Sequence, residues 1–137
     1  MPGYSKRTLS EKLGVKPGAR LVVLGGPRSY SALLGSLPSG ATVSSHLSSN
    51  APFIHRFARR QSELRSDFGR LARALADDGM LWVSWPKQSS GAETDLDENV
   101  VREIGLAEGL VDVKVCAVDE LWSGLKFVRR MANRKPR

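Results

Sequence analysis

The chain has 137 residues and a formal net charge of +7, with 41% hydrophobic and 26% charged residues. That is one domain's length with enough apolar matter for one core, which excludes a disordered polypeptide. No apolar run approaches the roughly 20 residues of a bilayer span, and none follows the N-terminal cations as a signal core, so a soluble cytoplasmic protein without membrane contact is expected.

The single cysteine, Cys116, supplies neither a disulfide framework nor a metal cluster and reads as a buried structural thiol. The positive excess gathers towards the ends, in Lys6, Arg7, Lys12, Lys16 and Arg20 and again in Arg129, Arg130, Arg134, Lys135 and Arg137. An acidic block, Glu93, Asp95, Asp97 and Glu98, interrupts it. Such a balance attracts acidic surfaces without naming one.

In chain order, Thr8 to Leu13 predicts one or two helical turns ended by Gly14. Val15-Lys16-Pro17-Gly18 turns the chain into a core strand, Arg20-Leu21-Val22-Val23-Leu24, which Gly25-Gly26-Pro27 stops. A short helix follows from Ser29 to about Leu37, then a short polar edge strand, Ala41 to Ser45. Phe53 to Ala58 predicts a central strand in which His55 and Arg56 each need a partner or an opening to water.

Ser62 is the expected cap of the next helix, whose Leu64, Phe68, Leu71 and Leu75 share a face, with Asp77-Asp78-Gly79 ending it. Met80 to Trp85 extends as a strand that Pro86 terminates. Asp95-Leu96-Asp97-Glu98 predicts a capping box, and Val100, Ile104 and Ala107 share a face of its helix with Val101 beside them, with Gly109 as the stop. Leu110 to Val118 and Trp122 to Val128 are too close for a crossover helix and predict an antiparallel hairpin.

The pattern predicts an α/β chain: a single Rossmann-like three-layer domain whose mostly parallel sheet ends in an antiparallel hairpin. The expected organisation is an N-terminal helical segment over 1–18, the α/β domain over 19–130 and a flexible basic tail over 131–137.

Two turns stand out chemically. The Gly25-Gly26-Pro27-Arg28 connection could admit an anion near a helix start, and Trp85-Pro86-Lys87 leads into Gln88-Ser89-Ser90-Gly91. If their strands are neighbours, the candidate ligand site is Gly25 for close approach, Arg28 and Lys87 for negative charge, Tyr30 and Trp85 for aromatic faces and Ser90 for donors. Asp119, Glu120, Trp122 and Ser123 read as a hairpin turn whose tryptophan covers the core, with a second recognition patch as the other reading. No catalytic residue is assigned, since no nucleophile elbow or paired-carboxylate spacing is present, and no metal site, since His46, His55, Cys116, Asp112 and Asp119 are scattered.

Four stretches, Lys12-Leu13-Gly14-Val15-Lys16-Pro17-Gly18, Leu81-Trp82-Val83-Ser84-Trp85-Pro86-Lys87, Gly109 through Asp119, and Trp122-Ser123-Gly124-Leu125, together resemble an uncharacterised bacterial family of small proteins known as a domain of unknown function. That resemblance implies no catalytic residues. The order of elements also resembles a shortened methyltransferase-type Rossmann domain, which implies S-adenosylmethionine beside the first strand. The chain departs from that pattern at Gly25-Gly26-Pro27-Arg28 and in lacking an acidic residue after Ser44-Ser45.

The expectation is therefore a non-enzymatic ligand-binding or protein-interaction domain without a cofactor, its partner an anionic small molecule or an acidic protein surface. An S-adenosylmethionine-dependent transferase is the alternative and a nucleic-acid-binding protein the third reading. Self-association as a homodimer is expected from the short polar edge and the terminal basic segments.

Overall fold

The structure of the protein, a computed structural model, describes residues 8–130. The expected basic tail lies outside the described residues, as do the first seven. The elements are α1 (Leu9–Leu13), β1 (Arg20–Leu24), α2 (Tyr30–Leu34), β2 (Thr42–Ser44), β3 (Ala51–Phe57), α3 (Gln61–Ala74), β4 (Leu75–Pro86), α4 (Glu98–Ala107), β5 (Leu110–Ala117) and β6 (Trp122–Arg129), with a 3-10 turn at Gln88–Ser90. The strands form one sheet in the order β2-β1-β3-β4-β6-β5. β1 pairs in parallel with β2 and β3, and β3 with β4. β6 then runs antiparallel to both β4 and β5.

This is the α/β domain with a terminal antiparallel hairpin that the sequence predicts. Side-chain alternation along the strands feeds two cores. On one face Val22, Ile54, Leu81 and Val83 meet Leu64, Phe68 and Leu71 of α3 and Val101 and Ile104 of α4. On the other, Leu21, Phe53, Phe57 and Trp82 meet Leu9 and Leu13 of α1 and Tyr30 and Leu34 of α2. The short α1 is held by its ends: Thr8 and Glu11 form a capping box, Gly14 closes the helix at φ 82°, and the Trp82 indole Nε1 donates to the Leu13 carbonyl at 2.9 Å.

Several local expectations are corrected. α3 ends at Ala74, three residues early, because Leu75 is already extended and pairs with Ala51 of β3. Gly79 sits inside β4 where an added Cβ would lie 2.9 Å from the Ala51 carbonyl oxygen, so it serves close strand approach rather than helix termination. Ser62 is not the cap of α3. The Gln61 amide instead donates to Asp95 Oδ1 at 2.8 Å, so Asp95 caps α3 across the fold, while Asp97 caps α4 by accepting from the Val100 amide at 2.9 Å.

Arg129 is part of the fold rather than of a free basic surface. Its guanidinium donates to the Ala72 carbonyl at 2.7 Å and to the Leu75 carbonyl, tying β6 to the α3–β4 junction. Cys116 is a free, partly buried thiol on β5. Among the described residues no helix is long and apolar enough to cross a membrane.

Candidate functional site

Where β1 leaves the sheet, Gly25 adopts φ +71°, a region a side chain disfavours. A Cβ there would lie 2.6 Å from the Phe57 carbonyl oxygen and 2.7 Å from Arg56 Nη1, and one at Gly26 would lie 2.8 Å from Val23 Cγ1. Both glycines therefore let the loop close down on the end of β3. The closure leaves a cleft of about 340 Å3 at the carboxyl ends of β1 and β3, bounded by Gly25 and Pro27, Phe57 and Arg59, Glu63 of the first turn of α3, and Trp122 at the start of β6. On the other side of the same loop a second cleft, about 320 Å3, is lined by Tyr30, Val43, Ser44 and Ser45.

The floor is aromatic. Phe57 meets Trp122 edge-on with centroids 5.0 Å apart and Tyr30 edge-on at 5.6 Å, while His55 stacks on it at 4.2 Å. The Asp119 carboxylate fixes the turn that delivers Trp122, accepting from the Leu121 amide at 2.9 Å and the Trp122 amide at 2.7 Å. Arg59, exposed, lies over the Trp122 ring at 5.1 Å.

The two polar residues that conflict with a central strand both find partners. His55 is wholly buried, with Nδ1 2.8 Å from Tyr30 Oη and Nε2 2.7 Å from Ser84 Oγ. Burial lowers its pKa to about 3, so the ring is neutral at physiological pH, with one nitrogen donating and the other accepting. Burial also pushes the Tyr30 phenol above its usual range. Arg56 donates from Nη1 to the Phe57 carbonyl at 3.0 Å, and its Nε lies 3.2 Å from Asp67 Oδ2 of α3. A partly buried guanidinium beside the cleft, the Arg59 cation and the Glu63 carboxylate give a lining suited to a ligand bearing both charges.

The structure divides the residues that the sequence grouped together. β3 lies between β1 and β4, so the two turns do not rise from neighbouring strands. Gly25 lines both clefts and Tyr30 lines the second. Arg28 is exposed on the loop beside them. Trp85 is buried in the opposite core, the one shared with α3 and α4, and faces neither cleft. Lys87 is partly buried past the end of β4, its amide donating to the Leu121 carbonyl at 2.8 Å. Ser90 is used within its own turn, donating to the Lys87 carbonyl at 2.6 Å and accepting from the Ala92 amide at 3.2 Å.

Phe57 and Arg59 were not singled out from the sequence. Their signal was the position at which β3 must end: the last residues of a central parallel strand in an open α/β sheet face the ligand crevice. Among the described residues no three of His, Cys, Asp and Glu gather into a metal-ligand group.

No family model matches the sequence, and no curated protein matches it. Solved structures do. A TehB-like SAM-dependent methyltransferase from Corynebacterium glutamicum superposes with a TM-score of 0.60 at 11% identity, covering 93% of this chain and 90% of that one. A SAM-dependent methyltransferase from Aquifex aeolicus gives 0.58 at 15% identity over 85% of each chain. A chain of the Haloferax volcanii complex containing the Trm112 methyltransferase activator gives 0.65 at 10% identity, covering 93% and 89%.

At such identities the likeness establishes the fold, which is that of SAM-dependent methyltransferases. It corrects the expectation of a non-enzymatic domain. That reading rested on the altered Gly25-Gly26-Pro27-Arg28 loop and the missing acidic residue after the second strand, whereas the solved structures matched over 90% and 85% of their own chains are methyltransferases. The expectation that the chain needs no cofactor loses its support with it.

Proposed function

We infer that the protein is an S-adenosylmethionine-dependent methyltransferase whose cofactor lies across the Gly25–Pro27 loop. The observation that carries this reading is the position of the cleft: it opens at the carboxyl ends of β1 and β3, against a glycine turn, in a sheet wound as in the methyltransferases above.

The lining fits the cofactor at one end and departs from the usual pattern at the other. Arg56 and Arg59 would hold the carboxylate of the methionine moiety and Glu63 its ammonium, while Phe57 and Trp122 would supply an apolar face. At the end of β2, Ser44 and Ser45 line the second cleft where a ribose-binding carboxylate would be expected, and neutral partners bind more weakly than a charged one. When bound, the cofactor supplies an electrophilic methyl group on its sulfonium. The chain's own contribution is to orient that group and exclude water, through the closed glycine loop and the aromatic floor.

Isothermal titration calorimetry with S-adenosylmethionine and S-adenosylhomocysteine tests the assignment. Saturable binding is expected, weakened on the order of tenfold in Arg56→Gln through loss of one charge-assisted contact. Absence of binding at about millimolar ligand, a concentration that detects even contacts worth about 4 kcal/mol, would refute it.

A further inference from the structure

Three lysines, Lys12, Lys114 and Lys126, gather on the α1 side of the sheet, and Lys16 and Lys87 lie within electrostatic reach of the group. Lys114 of β5 and Lys126 of β6 are direct cross-strand partners. Lys126 stands between Leu125 and Phe127, which face α3 and α4, so it and Lys114 face the other way. Lys114 Nζ donates to the carbonyl of Lys12, in the last turn of α1, at 3.3 Å. Burial, and after it the charges of Lys114 and Lys16, lower the Lys126 pKa from its ordinary value, and burial raises the Cys116 pKa against the opposing pull of Lys114, Lys12 and Lys87.

This arrangement works against stability. Like charges placed directly opposite on an antiparallel pair repel, and a third and fourth cation add to the cost. Arginines show the alternative: among the described residues Arg56, Arg60, Arg102 and Arg129 pair with carboxylates, whereas these five lysines form no ion pair. The Asp119 carboxylate in the turn before β6 accepts from the amides of Leu121 and Trp122.

The row also leads to the cleft. Lys87 follows Pro86, which pairs with Trp122 in the wall of the cleft, and four residues of β6, about 13 Å, separate Trp122 from Lys126. At the upper end the exposed Arg59 guanidinium over Trp122 offers a flat cationic surface. Point cations in a row that ends at a stacking platform are what a short stretch of single-stranded nucleic acid requires.

We propose that this lysine face binds the phosphate backbone of a single-stranded nucleic acid and guides it to the cleft. The binding shares Arg59 and Trp122 with the methyl-transfer reading but is measured without cofactor, so the failure of one is distinguishable from the failure of the other.

The test is fluorescence anisotropy of labelled 12-nucleotide RNA and DNA strands of matched sequence with the intact protein, at several salt concentrations. Saturable binding of either strand is expected, and the tighter of the two identifies the natural sugar. Lys114→Gln with Lys126→Gln should weaken it on the order of tenfold and lower the salt slope by about 1.4, as two lost phosphate contacts require.

Lys16→Gln with Lys87→Gln, outside the paired strand positions, should weaken binding similarly and guards against a folding defect in the first pair. Arg65→Gln with Arg70→Gln removes the same charge from exposed positions on α3 and should change affinity by less than about twofold, since phosphate contact rather than net charge sets the effect. Equal weakening by the α3 pair, or no weakening by the lysine pairs, would overturn the proposal. So would equal competition by polyglutamate of matched charge, which would make the face a site for acidic protein.

Discussion

The buried His55 makes acid sensitivity a direct reading of the fold. In the native state the ring is held neutral between Tyr30 Oη and Ser84 Oγ, with burial lowering its pKa to about 3. In the unfolded chain it titrates near its ordinary value of about 6.5. Between those values the unfolded state carries a proton that the folded state refuses, so stability falls as pH falls.

The full contribution is present above pH about 6.5 and is lost at about 1.4 kcal/mol per pH unit down to about pH 3. From pH 7 to 5, where ordinary carboxylates stay ionised, the loss is about 2 kcal/mol, against a whole-domain stability of about 5–15 kcal/mol. Urea unfolding at pH 7, 6 and 5 measures it. His55→Gln should be less stable at pH 7 but flat across the same window, since it has no proton to gain. A wild-type stability constant to within about 0.5 kcal/mol from pH 7 to 5 would show that the ring is not held neutral.

Other substitutions follow from single contacts. Gly105 of α4 faces Phe127, and a Cβ there would overlap the Cε1–Cζ edge of the ring, which is itself held edge-on against Phe68 at 5.7 Å. Gly105→Ala should therefore lower the urea midpoint by an equivalent of about 1–3 kcal/mol, although alanine favours a helix by about 1 kcal/mol; a stabilised variant would mean that α4 has room to shift. Asp95→Ala should cost about 1 kcal/mol through loss of the bond from the Gln61 amide, and Ser62→Ala less than about 0.5 kcal/mol. The reverse order in chemical denaturation would restore Ser62 as the cap.

Much of this fold is legible in the sequence because short apolar runs and turn residues alternate. Leu21 to Leu24, Phe53 to Phe57 and Leu81 to Trp85 each mark a core strand, and the Asp119 turn marks the hairpin. What periodicity does not carry is neighbour order. The placement of β3 between β1 and β4 separates Gly25 from Trp85, and nothing local to either segment encodes it. Remote partners are hidden for the same reason. Asp95 looks like the start of its own helix but caps one 34 residues earlier, and His55 shows its need for partners without showing that Tyr30 and Ser84 meet it.

The candidate site was half visible. The glycine turn announces itself, whereas Phe57, Arg59 and Trp122 become a cleft only once the sheet is wound. Activity was harder still. The missing carboxylate after β2 and the altered loop argue against a cofactor when read alone, whereas the likeness to methyltransferase structures, which shows the fold, has no local sequence signature.

The most direct measurement of the cofactor assignment is a titration of 15N-labelled protein with S-adenosylmethionine, followed by backbone and indole amide shifts. The account expects saturable changes at Gly25, Gly26, Ala58, Arg59 and the Trp122 indole, with little change at Gly18 and Met80, at the opposite end of the sheet. Unchanged spectra, or shifts gathered at Gly18 and Met80 instead, would contradict it.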